Sequence, residues 1–120
     1  MKTTDFIYVN PVYTGGGIYC YTGQLKNGNY FMATSESPAW AVEVTENPDN
    51  TEDPGNDPWH EEWIEPRKVR DIENYKEKKS FFKAMLSWII KNEPKNSFTN
   101  YDIDDMERLL ANIDNWCTDY

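Results

Sequence analysis

The sequence predicts an α+β fold: an N-terminal antiparallel sheet of four to five strands, with a C-terminal αα-hairpin packed on one face. Three observations carry this. The first 45 residues are short Tyr- and Val-rich runs punctuated by glycine. From residue 71 onward the apolar period lengthens to that of helices. All strand signals precede all helix signals, so the βαβ alternation of a parallel sheet is missing. The 120 residues, 38% hydrophobic and 15% aromatic, suffice for one domain whose aromatics supply much of the burial. It divides into a sheet region (1–45), an acidic loop with an edge strand (46–66) and two helices (67–120).

Taken in order, "DFIYVNP" is a strand that Pro11 should end. "GIYCYTGQL" is the second, entered through the flexible "TGGG". Asn27-Gly28 then signals a type I′ hairpin turn, which needs positive φ at both central residues. "YFMATS" returns. "AWAVEVTE" alternates, with Trp40, Val42 and Val44 on one face and Glu43 and Thr45 on the other. Residues 47–58 have no periodicity and read as loop. "HEEWIEP" offers an edge strand stopped by Pro66. Asp71 is a suitable N-cap for the first helix, whose stripe is Ile72, Tyr75, Phe82, Leu86 and Ile89, with Phe81, Met85 and Trp88 beside it. Pro94 ends it. Thr99 and Asp102 fit a capping box for the last helix, with Ile103, Met106, Leu110 and Ile113 inward, Leu109 and Trp116 alongside, and Asp104, Glu107 and Asp114 outward. Tyr8, Tyr19, Tyr21 and Tyr30 fall at similar strand positions. They lie either under the helices and the loop or in an exposed aromatic patch.

Charge is segregated. The net charge is −9, and residues 1–42, 43–66, 67–95 and 96–120 carry 0, −9, +5 and −5. A chain this acidic repels nucleic acid as a whole and attracts basic partners. No secretory or membrane-spanning signal is visible: "FIYV" after Lys2 is too short, and "FFKAMLSWII" contains Lys83. The expectation is a soluble, cytoplasmic protein. Cys20 and Cys117 form no CxxC pair and are expected as reduced thiols, although a bridge between them is open.

The parts for catalysis are sparse. His60 is the lone histidine, and in "HEEWI" Ile64 stands where HExxH needs its second ligand. From Asp49, "DNTEDPGND" puts Pro54 where a calcium loop needs glycine, and His60 where it needs glutamate. "TGGG" is not followed by the GK[ST] of a phosphate loop. Carboxylates abound, but nothing selects a pair. The expectation is a non-enzyme with no cofactor and no metal site, a small enzyme being the more distant alternative.

Two binding surfaces remain. Arg67, Lys68, Arg70, Lys76, Lys78, Lys79 and Lys83 could contact phosphates, which makes nucleic-acid binding the alternative. The leading expectation is a protein-interaction module. Glu52, Asp53, Asp57, Glu61 and Glu62, with Trp59 as an aromatic anchor, would bind a basic partner, for example a nucleic-acid-binding protein. Asp104, Glu107 and Asp114 on the last helix would add to the surface. Rows of carboxylates can imitate a phosphate backbone, as in small phage and mobile-element inhibitors; the likeness is one of size, acidity and missing catalytic parts. Trp63, in a strand-like run, is the structural tryptophan of the pair. Neither the partner nor the oligomeric state can be read from the residues.

Overall fold

In the computed structural model, residues 2–16, 18–36, 39–50, 58–92 and 100–117 are described. Five strands, β1 (Phe6–Gly15), β2 (Ile18–Leu25), β3 (Tyr30–Thr34), β4 (Trp40–Val44) and β5 (Lys68–Asp71), form one antiparallel sheet in chain order. One turn of helix, α1 (Glu61–Ile64), precedes β5, and α2 (Tyr75–Lys91), α3 (Asn100–Ala111) and α4 (Ile113–Trp116) follow it. This is the expected α+β arrangement. No described helix is long and apolar enough to cross a membrane.

Alternation along the strands sorts side chains onto two faces. The helical face carries Tyr19, Tyr21 and Leu25 of β2, Phe31 and Ala33 of β3, and Ala41 of β4; they form one core with Phe81, Phe82, Met85, Leu86 and Ile89 of α2 and Ile103 and Met106 of α3. The outer face carries Met32, Val42 and Val44, which bury Trp63 in a second, smaller cluster. The four tyrosines therefore divide: Tyr19 and Tyr21 lie under the helices, and Tyr8 and Tyr30 are half-buried on the outer side.

Gly23 sits opposite Phe31 in the β2–β3 ladder. A Cβ there would lie 2.6 and 2.8 Å from Phe31 ring carbons and against the Tyr8 carbonyl oxygen. The bare backbone lets the Phe31 ring lie low on the sheet. It then meets Phe6 and Phe81 edge-to-face, with centroids 5.5 and 5.2 Å away. The chain of rings continues from Phe81 to Phe82 and on to Trp116. Polar bonds orient α3 over the same face. Tyr19 Oη donates to buried Asp105 at 2.8 Å, and Arg108 holds the other carboxylate oxygen at 2.9 Å.

Several local expectations are corrected. Pro11 does not end β1, because a strand with one neighbour can place a missing N–H away from the ladder. The β2–β3 connection has positive φ only at Gly28 (96°), so it is not type I′. Asn27 instead sends its side-chain amide to Glu43 at 3.1 Å. Glu43 does lie opposite Val42 and Val44, but buried rather than solvated. Asn29 at 2.7 Å and Arg70 of β5 at 3.3 Å complete its shell. The run 60–66 is not a strand: the His60 carbonyl accepts from the N–H groups of Trp63 and Ile64 and closes a helical turn. β5 occupies part of the stretch expected as helix. Asp71 ends that strand, Ile72 is bonded to the Ala41 carbonyl at 3.0 Å, and Asn74 is the N-cap of α2, accepting from Glu77 N–H. The last helix breaks at Asn112 into α3 and α4. The Thr99–Asp102 capping box and the link between α2 and α3 lie outside the described residues. Cys20 and Cys117 are not bonded, since they sit on opposite sides of the sheet.

Two predictions follow from this packing. Gly23→Ala must displace either the Phe31 ring or β1, and should cost about 2–3 kcal/mol by denaturant titration. A loss under about 0.5 kcal/mol would mean that Phe31 is not seated on that backbone. The Tyr21 phenol is fully buried with its hydroxyl 3.3 Å from Ser35 Oγ, and burial pushes its pKa well above the ordinary 10.0. The folded state thus holds this proton more tightly than the unfolded chain. The stability it contributes is present in full below about pH 10 and erodes as pH rises further, by up to about 1.4 kcal/mol per pH unit. Tyr21→Phe should show a shallower alkaline loss than the parent when the two are unfolded by urea on either side of that pH.

Candidate outer-face cleft

The described parts of the connection from β4 to β5, residues 45–50 and 58–67, pack against the outer face. One group that pins them is Arg67. The Arg67 guanidinium stacks on the Trp63 ring, 4.5 Å from its centroid, donates to the Trp63 carbonyl at 2.9 Å and pairs with Glu46 at 3.0 Å. Trp63, 2% exposed, is thereby locked over Val42 and Val44. Beyond this plug, towards β1, the described residues leave the face open.

There a cleft of about 250 Å³ forms. Its floor is a cross-strand grid in which Asn10 pairs with Thr22 and Val12 with Cys20. Val12 is 53% exposed, high for an apolar residue inside a sheet. One wall is Trp59, half-buried, meeting Trp40 edge-to-face at 5.8 Å. The other is Asp49, on a 3₁₀ turn (Pro48–Asn50), whose carboxylate accepts from Thr22 Oγ1 at 2.8 Å. That bond fixes an exposed charge at the mouth of an apolar slot. Burial pushes the Cys20 thiol up, partly offset by its hydrogen bond to Thr34, so it stays protonated near neutral pH. Among the described residues, no three His, Cys, Asp or Glu gather closely enough to hold a metal ion.

The expected site residues distribute as follows. Trp59 lines the cleft. Glu61 and Glu62 follow it after His60, exposed on the first turn of α1. Glu52, Asp53 and Asp57 lie outside the described residues. Asp104 and Glu107 are exposed on α3, which packs on the helical face, so the sheet separates them from Glu61 and Glu62. Asp114 pairs with Lys79, whose ammonium holds its carboxyl below the ordinary range. Reading Pro11 as a stop hid the cleft floor. Carrying β1 three residues further would have aligned Asn10, Val12 and Thr14 on one face. Asp49, weighed only as a calcium ligand, works instead as a positioned carboxylate.

No protein-family model matches the chain, and neither does any curated protein or solved structure.

The two tryptophans should separate experimentally. Trp63→Ala empties the second cluster and should cost about 3 kcal/mol or more. Trp59→Ala opens the side of a cleft and should cost about 1 kcal/mol. In the single mutants, acrylamide should quench the variant that retains Trp59 more strongly than the one that retains Trp63. Equal shielding would remove Trp59 as an anchor.

Proposed function

We propose that this protein is a non-enzymatic interaction module that binds a basic partner segment at the outer-face cleft. An apolar side chain of the partner enters the slot beside Trp59, and its neighbouring cations meet Asp49, Glu61 and Glu62. The observation that carries the reading is the slot itself: an apolar floor with exposed Val12, one half-buried indole as wall and a fixed carboxylate at the mouth. An aromatic anchor in a desolvated pocket supplies affinity, and surrounding charge supplies orientation and encounter rate. Asp49, Glu61 and Glu62 supply that charge, within a segment (43–66) that holds nine acids and no Lys or Arg. A partner of this kind is typified by a nucleic-acid-binding protein, whose cationic surface is built for phosphates; occupying it would make the protein an inhibitor that imitates a nucleic acid.

The direct nucleic-acid alternative has less support. Of its seven cations, Arg67, Lys68, Arg70 and Lys79 are paired with carboxylates of the protein itself, and Lys78 is buried.

Placement of charge can be separated from its sum. Glu61→Lys with Glu62→Lys changes net charge as much as Asp104→Lys with Glu107→Lys. Against the partner isolated from the native host, the first pair should weaken binding about 30-fold, some 2 kcal/mol, and the second by less than about threefold. Equal losses would show that net acidity, not the cleft, drives binding. Retention of the parent on a polyanion resin but not on a polycation resin would overturn the reading as a whole.

A further inference from the structure

On the helical side, the N-terminal 3₁₀ turn (Thr3–Asp5) packs against α2 and leaves an open groove of about 610 Å³ between them. Its lining holds Lys2, Lys76, Lys79 and Lys83 and no carboxylate. The three lysines of α2 are spaced three and four residues apart, so they rise along one face of the helix. In a chain of net charge −9, this is a concentration of the minority charge.

The charges are also only partly compensated among the described residues. Arg67, Lys68, Arg70 and Arg108 each have a carboxylate within 3.3 Å or less. In the groove only Lys79 is so engaged, by Asp114. Lys2, Lys76 and Lys83 have no side-chain ion pair among the described residues. Like charges on successive turns repel, and among the described residues Asp114, paired with Lys79 and near Lys83, relieves them only in part. Thr3 and Ser87 add hydroxyl-bearing residues to the walls, and Tyr75 adds an aromatic one. A volume of this size falls within the range of small-molecule sites.

We propose that this groove is a binding site for a compact polyphosphate: a ligand with two or more linked phosphate groups, small enough to lie wholly between Lys2 and Lys83. Three features select that class. Several ammonium groups in one concavity match a multiply charged anion better than a single carboxylate. Hydroxyls alongside them match phosphate oxygens as acceptors. Size is limited by the rest of the surface: at physiological salt, charges interact over about 8 Å, so a short anion feels the four lysines while a long strand must also cross the acidic surroundings. The site is independent of the outer-face cleft and lies on the other side of the sheet.

The test is a ¹H–¹⁵N NMR titration of the full chain with sodium tripolyphosphate, without divalent metal, at about 0.1 M salt. Saturable shifts should centre on residues 2–3 and 76–87. Lys76→Glu with Lys83→Glu should weaken binding at least about tenfold. Both positions are exposed, so the melting curve should hold; Lys76→Gln with Lys83→Gln provides a milder pair should it not. Lys26→Glu with Lys91→Glu, equal in charge and outside the groove, should leave affinity within about twofold. The proposal fails if the parent shows no saturable binding, if the two Glu pairs lose affinity equally, or if a thymidine oligonucleotide binds the same residues more tightly than tripolyphosphate.

Discussion

Everything on the helical side depends on one missing side chain. Gly23 leaves a flat place in β2, and the Phe31 ring fills it. With that ring low on the sheet, Phe81 can approach edge-on, and Phe6 closes the triangle at 5.6 Å from Phe81. Three elements distant in sequence are fixed by one cluster. Aromatic pairs in this geometry contribute about 0.5–1.5 kcal/mol each beyond their burial. Their larger effect here is on direction. Seating Phe81 sets the rotation of α2 about its axis, and that rotation turns Lys76, Lys79 and Lys83 away from the core. The basic groove is thus a consequence of how the aromatic core packs.

The outer face obeys a different logic. Helices cover one side of the sheet, and among the described residues the other is covered by a short turn and two tryptophans. Arg67 concentrates the hold of this cover by serving the ring, the main chain and Glu46 together. Trp63 and its neighbours bury Val42 and Val44, while Val12, on the far side of the same face, stays exposed.

These differences explain what the sequence could and could not show. Long-period signals survived: the helix stripe from Phe81 to Ile89 is buried as expected, and Trp63 is the structural tryptophan. Signals that rest on one residue were overruled by context. Pro11 is a stop in a central strand and harmless at an edge. Asn27-Gly28 suggests a backbone conformation, yet Asn27 serves through its side chain, because Glu43 needs donors in a buried place. Asp71 resembles a cap, but Arg70 is drawn beside β4 by that same Glu43, and the strand keeps Asp71 with it. A pairing between residues 43 and 70 has no local signature. The cleft was illegible for the same reason: Val12, Thr22, Asp49 and Trp59 come together only through the fold.

Charge segregation along the chain becomes charge segregation in space, but not by simple projection. The basic run 67–83 does not form a basic surface, since its N-terminal third is consumed holding the connection and β5 in place. Lys68, for example, bridges Glu65 and Asp71 at 2.9 and 3.0 Å. What reaches the surface as net positive charge is the part carried by α2, where the inward-facing aromatics leave lysine the outward positions. What reaches it as net negative charge on the other side is Asp49, Glu61 and Glu62, anchored by Thr22 and the α1 turn. The sheet between them keeps the two apart, so neither cancels the other at the distances over which charges act in salt. A protein with so large an acidic excess can therefore present a cationic groove and an anionic cleft at once. The sign of each site is decided by which residues the core and the strand edges leave over.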